Sequence, residues 1–95
     1  MFTKKGYENF LIENRLSQYT DHGDPSTVYD YSRRIEGVLK REGLNWADLP
    51  EHIDSLVQVY DKGGKKEKFG ATSHNAVISA LKQVQNMVKL GEYNL

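Results

Sequence analysis

Apolar residues recur at three- and four-residue spacing in four blocks of this chain, and turn-forming residues separate the blocks. That period marks amphipathic helix. The first block predicts a helix over residues 7–18, with Tyr7, Phe10, Leu11 and Asn14 on one face and Ile12 and Leu16 beside it. Residues 19–25 are rich in turn formers, and Pro25 disfavours a helical Asp24, so they read as a loop. Ser26 or Thr27 can cap a second helix, with Thr27 and Asp30 as a variant capping box. Its stripe is Val28, Tyr31, Ile35, Val38 and Leu39; Tyr29, Arg33 and Lys40 fall on the other side, and Gly43 suits the left-handed stop.

Residues 44–47 lead into a third helix, for which Asp48 is the expected N-cap, with Pro50 in the first turn and Glu51 reaching back. Ile53, Leu56, Val57 and Tyr60 are spaced as on a helix buried on one side, and residues 61–64 end it. The longest loop, residues 63–72, carries Lys65, Lys66 and Lys68. Ser73 is the expected cap of a fourth helix that runs to about Leu90 and stops at Gly91. Val77, Ala80, Leu81, Val84 and Val88 form its buried stripe, with Asn75, Ser79, Lys82 and Asn86 on the far side and Ile78 half-exposed. No strand pattern, repeat or heptad series interrupts this order. The fold class is therefore all-α: a compact bundle of four or five helices in which two helix pairs pack across each other.

Composition narrows the picture. With 95 residues, 38% of them apolar, the chain fits one small domain with a modest core. It has no cysteine, which excludes a disulfide scaffold, a thiol nucleophile and a Cys-ligated zinc. No apolar run approaches the roughly 20 residues of a membrane helix, and the start lacks a secretion signal, so a cytoplasmic location and no membrane partner are expected. The formal net charge is zero, yet the charges are segregated. Residues 1–61 carry 7 basic and 11 acidic side chains, while residues 62–90 carry six lysines against Glu67 alone. A neutral total thus conceals a basic segment of the kind that faces polyanions.

Catalytic and metal chemistry find no support in the residues. His22, His52 and His74 are isolated, with no second ligand at i+3 or i+4. Residues 63–66, Gly-Gly-Lys-Lys, lack the spacing of a phosphate loop and follow a helix, not a strand. No hydroxyl has an identifiable base partner, and no carboxylate pair stands out. The expectation is a protein that is not an enzyme, needs no cofactor and takes no small-molecule substrate.

The order of these features resembles a known family. Residues 26–35, Ser-Thr-Val-Tyr-Asp-Tyr-Ser-Arg-Arg-Ile, look like the S-T-v-x-x-Y-x-x-x-l segment of phage integrases. Residues 44–49, Leu-Asn-Trp-Ala-Asp-Leu, follow at a suitable distance. Residues 73–82, Ser-His-Asn-Ala-Val-Ile-Ser-Ala-Leu-Lys, are similar to the family's S-x-x-T-i-x-x-x-l-s-A-l-r helix. With the opening Tyr7-Glu8-Asn9-Phe10-Leu11, the likeness spans residues 5–90. It is to the N-terminal core-binding, or SAM-like, domain of tyrosine recombinases, which serve DNA integration and recombination in bacteria and their mobile elements.

The resemblance implies a helical bundle that grips one side of duplex DNA through its second and fourth helices. Carried onto matching positions, it points to Tyr29 and Arg33 in the second helix and to Ser73, Asn75, Ser79 and Lys82 in the fourth. The charge pattern adds Lys65, Lys66 and Lys68 in the loop as phosphate contacts. The family's catalytic domain, with its Arg, His and Tyr set, has no counterpart here. Ala76 and Ile78 stand where a more polar pattern is common, and Asp30 and Glu36 lie near the arginines, so weak, salt-sensitive binding is expected. Met1 and the helix stop at Gly91 favour a free-standing small protein over a fragment of a longer recombinase. The sequence reading is a non-catalytic DNA-binding module over residues 1–95. The alternative is a protein-interaction module of the same fold, with a recombinase or another mobile-element protein as partner.

Overall fold

The first helix starts earlier than its apolar spacing indicates, because Thr3 caps it: the Thr3 hydroxyl accepts a hydrogen bond from the Gly6 N–H at 3.0 Å. A computed structural model describes residues 1–14 and 27–91. It contains α1 (Lys4–Glu13), α2 (Thr27–Glu42), a 3₁₀ turn (Trp46–Asp48), α3 (Leu49–Tyr60), a short α4 (Glu67–Gly70) and α5 (Thr72–Leu90). The described residues form an all-α bundle with no strand. The predicted extension of the first helix to Gln18, the loop at residues 19–25, the Ser26 cap and His22 lie outside the described residues.

The apolar stripes meet in one cluster. Tyr7, Phe10 and Leu11 of α1, Val28, Ile35, Val38 and Leu39 of α2, and Ile53, Leu56, Val57 and Tyr60 of α3 are all buried. From α5 they meet Val77, Ala80, Leu81, Val84 and Met87. Each such large apolar side chain contributes roughly 1.5–3 kcal/mol when fully buried. α5 touches every other α-helix and packs most extensively on α3 and α2. Ala80 leaves room on α5 for Tyr7, whose hydroxyl donates to the Ala80 carbonyl at 2.9 Å. Burial pushes the Tyr7 phenol well above its ordinary pKa, and nearby Tyr31 adds to the effect. Phe2, absent from the predicted core, is 2% exposed and stacks on Trp46 with ring centroids 6.3 Å apart.

Three expectations change. Ile78 is buried, not half-exposed, because α5 is flanked on more than one side. Asp48 does not cap α3 with its side chain; its carboxylate accepts from the Asn45 N–H at 2.9 Å and closes the 3₁₀ turn instead. Ser73 does not cap the fourth predicted helix, now α5. Ser73, His74 and Asn75 all have left-handed backbone, with φ of 54°, 58° and 68°, so right-handed helix resumes only at Ala76. The stops at Gly43 and Gly91 do occur, both at positive φ.

The loop between α3 and α5 contains α4, which the sequence pattern does not reveal. Gly70 allows it: a Cβ there would lie 1.9 Å from the Tyr60 carbonyl oxygen, a backbone atom that cannot yield. Four residues apart, two substitutions should act in opposite directions. Gly70→Ala should lower stability by about 2 kcal/mol or more, since α4 must move off α3. His74→Gly should raise it by up to about 1 kcal/mol, since glycine removes the left-handed penalty at an exposed side chain. Urea unfolding midpoints at unchanged m-value check both.

Candidate nucleic-acid interface

Tyr29, Arg33, Gly37 and Arg41 follow one another at four-residue intervals and so form a single line along the outer side of α2. Arg33 is the most open of the ion-paired groups, its side chain 70% exposed, and Arg34 lies beside it. Asp30 is one turn away and faces both guanidiniums, at 3.6 Å from Arg33 and 3.5 Å from Arg34. Arg33 and Arg34 therefore share one carboxylate, while Arg41 has Glu42 beside it. Glu36, another acid on this helix, reaches instead to Lys4 of α1 at 3.1 Å. Gly37 is exposed and carries no side chain, so a ligand backbone can approach α2 closely between Arg33 and Arg41.

Phe69 of α4 and Thr72 at the start of α5 supply the opposite wall of a groove of about 170 Å³, lined also by Arg33, Arg34, Gly37 and Arg41 above Val38 and Val77. The Arg34 guanidinium donates to the Ser73 hydroxyl at 2.8 Å. The guanidinium carbon of Arg41 sits 4.1 Å from the centre of the Phe69 ring. Cationic donors, hydroxyls and a half-open aromatic ring thus meet in one place. Tyr29 is half-buried and lies around the other side of Arg33, in a shallow hollow shared with Lys4 and Glu8.

The lysines divide into two groups. Lys65 and Lys68 are exposed and make no ion pair with another described residue. Lys66 is committed elsewhere: its ammonium and the Tyr60 hydroxyl both donate to the same Glu42 oxygen. This ties the loop to the end of α2. Lys66 and Tyr60 in turn hold the Glu42 carboxyl below its ordinary pKa, and Glu42 raises that of Lys66.

The far side of the predicted fourth helix separates from this groove. Asn75, Ser79 and Lys82 line a different hollow, of about 560 Å³, with Asp61 and Glu67 on its other walls. The Lys82 ammonium lies 3.2 Å from Asp61, whose carboxyl is held below its usual range by the Lys62 N–H and then by Lys82. The face is free of acids along α5, but neighbouring elements supply them. Sequence reasoning therefore placed Ser73 with Asn75, Ser79 and Lys82, whereas the fold places it with Arg34. It missed Arg34, Arg41, Gly37 and Phe69; the four-residue repeat through Arg33, Gly37 and Arg41 was the available signal.

No group of three or more acidic or histidine side chains that could hold a metal is assembled among the described residues. No described helix is long and apolar enough to cross a membrane. No protein-family model, curated protein or solved structure matches the chain.

The Glu42 cluster makes a pH prediction. The folded carboxyl titrates lower than the unfolded one, so its contribution is fully present above the ordinary glutamate value of 4.5 and is lost as pH falls through the depressed folded value. Glu42→Gln should therefore flatten part of the acid limb of stability, while lowering stability at neutral pH. Thermal midpoints between pH 3 and 7 provide the measurement.

Proposed function

We propose that the chain is a non-catalytic DNA-binding module of the integrase core-binding type, which contacts duplex phosphates through the outer side of α2 and the neighbouring loop. The convergence of Arg33, Arg34 and Arg41 on one groove carries this reading. Guanidinium groups are matched to phosphate by their fork of donors, and exposed Gly37 lets a sugar–phosphate backbone come close. Lys65 and Lys68 extend the positive surface, and Ser73 adds a hydroxyl beside Arg34. Such contacts position a duplex without reading its sequence. The shared Asp30 reduces the field, which fits weak, salt-dependent binding.

Of the three observations behind the protein-interaction alternative, the zero net charge and the acidic first part stand, while Ile78 is buried. Among the residues first selected, Arg33, Lys65, Lys68 and Ser73 remain as contacts in this proposal, with Tyr29 at the margin. Lys66 and Lys82 are reassigned to internal ion pairs, and Asn75 and Ser79 to the separate hollow.

Fluorescence anisotropy with a labelled duplex over a salt series tests the proposal. Each phosphate contact contributes about −0.9 to the slope of log K against log salt. Arg33→Gln combined with Lys65→Gln should flatten the slope by about 2, while Lys82→Gln leaves it unchanged. Unaltered affinity and slope in the double variant would refute the assignment.

A further inference from the structure

Phe69 is 48% exposed, whereas Phe2 and Phe10 are 2% and 3% exposed in the core. Its mounting is rigid. On its C-terminal side, Gly70 is seated against the Tyr60 carbonyl and is itself buried. On the N-terminal side, the Lys66 N–H donates to the Val59 carbonyl at 2.9 Å and the Lys66 ammonium to Glu42. The four-residue α4 thus holds an aromatic ring at the surface in a fixed position, and Arg41 stacks on it. A ring that served the core would point inward; one that merely filled a loop would need no cation on its face. This ring forms part of the groove that also presents Arg33 and Arg34.

We propose that the Phe69–Arg41 pair is a seat for one unpaired nucleobase, so that the module prefers DNA with an extruded or single-stranded nucleotide over uninterrupted duplex. The proposal rests on the DNA-binding reading and deepens it. Phenyl and guanidinium planes both stack on the π-face of a base, whatever its identity. Arg33 and Arg34 lie on α2 about 10–12 Å from Arg41 along the helix axis, at a rise of about 1.5 Å per residue. They can hold backbone phosphates while the base reaches the ring. Thr72 lines the same groove, its hydroxyl donating to the Lys68 carbonyl at 3.3 Å. A base locked inside a continuous duplex cannot reach such a platform without unstacking, and a bulge or gap removes most of that cost. An acidic peptide would use the arginines but would have no need of the ring.

The experiment compares a fully paired duplex with the same duplex carrying a single-nucleotide bulge, with 2-aminopurine at the bulge. The wild-type chain should bind the bulged duplex about tenfold more tightly and quench the 2-aminopurine. Phe69→Ala should lose that preference and the quenching, so that it binds the bulged and paired duplexes within about twofold of each other. Phe69→Trp should keep both, and circular dichroism should show each variant folded. Equal wild-type affinity for the two duplexes, or a Phe69→Ala variant weakened equally on both, would overturn the base seat and leave the phosphate reading intact. If neither duplex binds at low salt, or a glutamate-rich peptide binds with the same dependence on Phe69, the DNA reading fails as well.

Discussion

α5 must bury apolar side chains on several sides at once, and the rest of the structure is arranged around that demand. Val77, Ile78, Ala80, Leu81, Val84 and Met87 are all buried, more than one stripe of a surface helix requires. α3 and α2 cover the larger part, while α1 and α4 close the remaining sides. Where α1 crosses, Ala80 is small enough for Tyr7 to reach the helix backbone, and the Tyr7 hydroxyl finds the Ala80 carbonyl. A buried phenol without such a partner would cost about 1–3 kcal/mol. Packing and hydrogen bonding thus fix the same contact, and α1 cannot slide along α5 without losing both.

The same demand shapes the interface. Because α5 is enclosed, the chain must enter it at an angle from α4, and the left-handed turn at Ser73, His74 and Asn75 makes that change of direction. Left-handed backbone costs roughly 1–2 kcal/mol per non-glycine residue. Two contacts brace it: the Asn75 N–H donates to the Ala71 carbonyl at 3.0 Å, and Arg34 donates to the Ser73 hydroxyl. The turn moves Ser73 away from the face it would occupy on a regular helix and towards α2. The groove between α2 and α4 is therefore a consequence of how α5 begins, and its hydroxyls are present because the helix starts late.

Much of this was legible in the sequence, for a definite reason. Helical period reports one-sided burial, so Val28, Ile35, Ile53, Leu56, Leu81 and Val84 declared their positions directly. Local stop chemistry was equally readable at Gly43 and Gly91. Features decided by distant partners were not. Phe2 is core because Tyr7 and Trp46, the latter far along the chain, pack against it. α4 exists only because Gly70 fits the Tyr60 carbonyl, and a lysine-rich run with glycines looks like plain loop until that fit is known. Ser73 precedes an apolar run as a cap would, but its hydroxyl is claimed by Arg34 from another helix.

Charge shows the limit most clearly. Summed along the chain, residues 62–90 are the basic part and residues 1–61 the acidic part. Folding exchanges partners between them: Glu42 and Asp61, from the acidic part, face Lys66 and Lys82 of the basic part. Each pair removes one lysine from the surface available to a polyanion, and one carboxylate from the repulsion that would oppose it. Within the acidic part, Lys4 draws off Glu36. Arg33 and Arg34 are then left with Asp30 as their near acid, Arg41 lies by a Glu42 that Lys66 already pairs, and guanidinium is more weakly hydrated than ammonium. The positive surface therefore centres on α2, in the segment that the running sum marks as acidic. Only the pairing in three dimensions tells which charges remain to act on a partner.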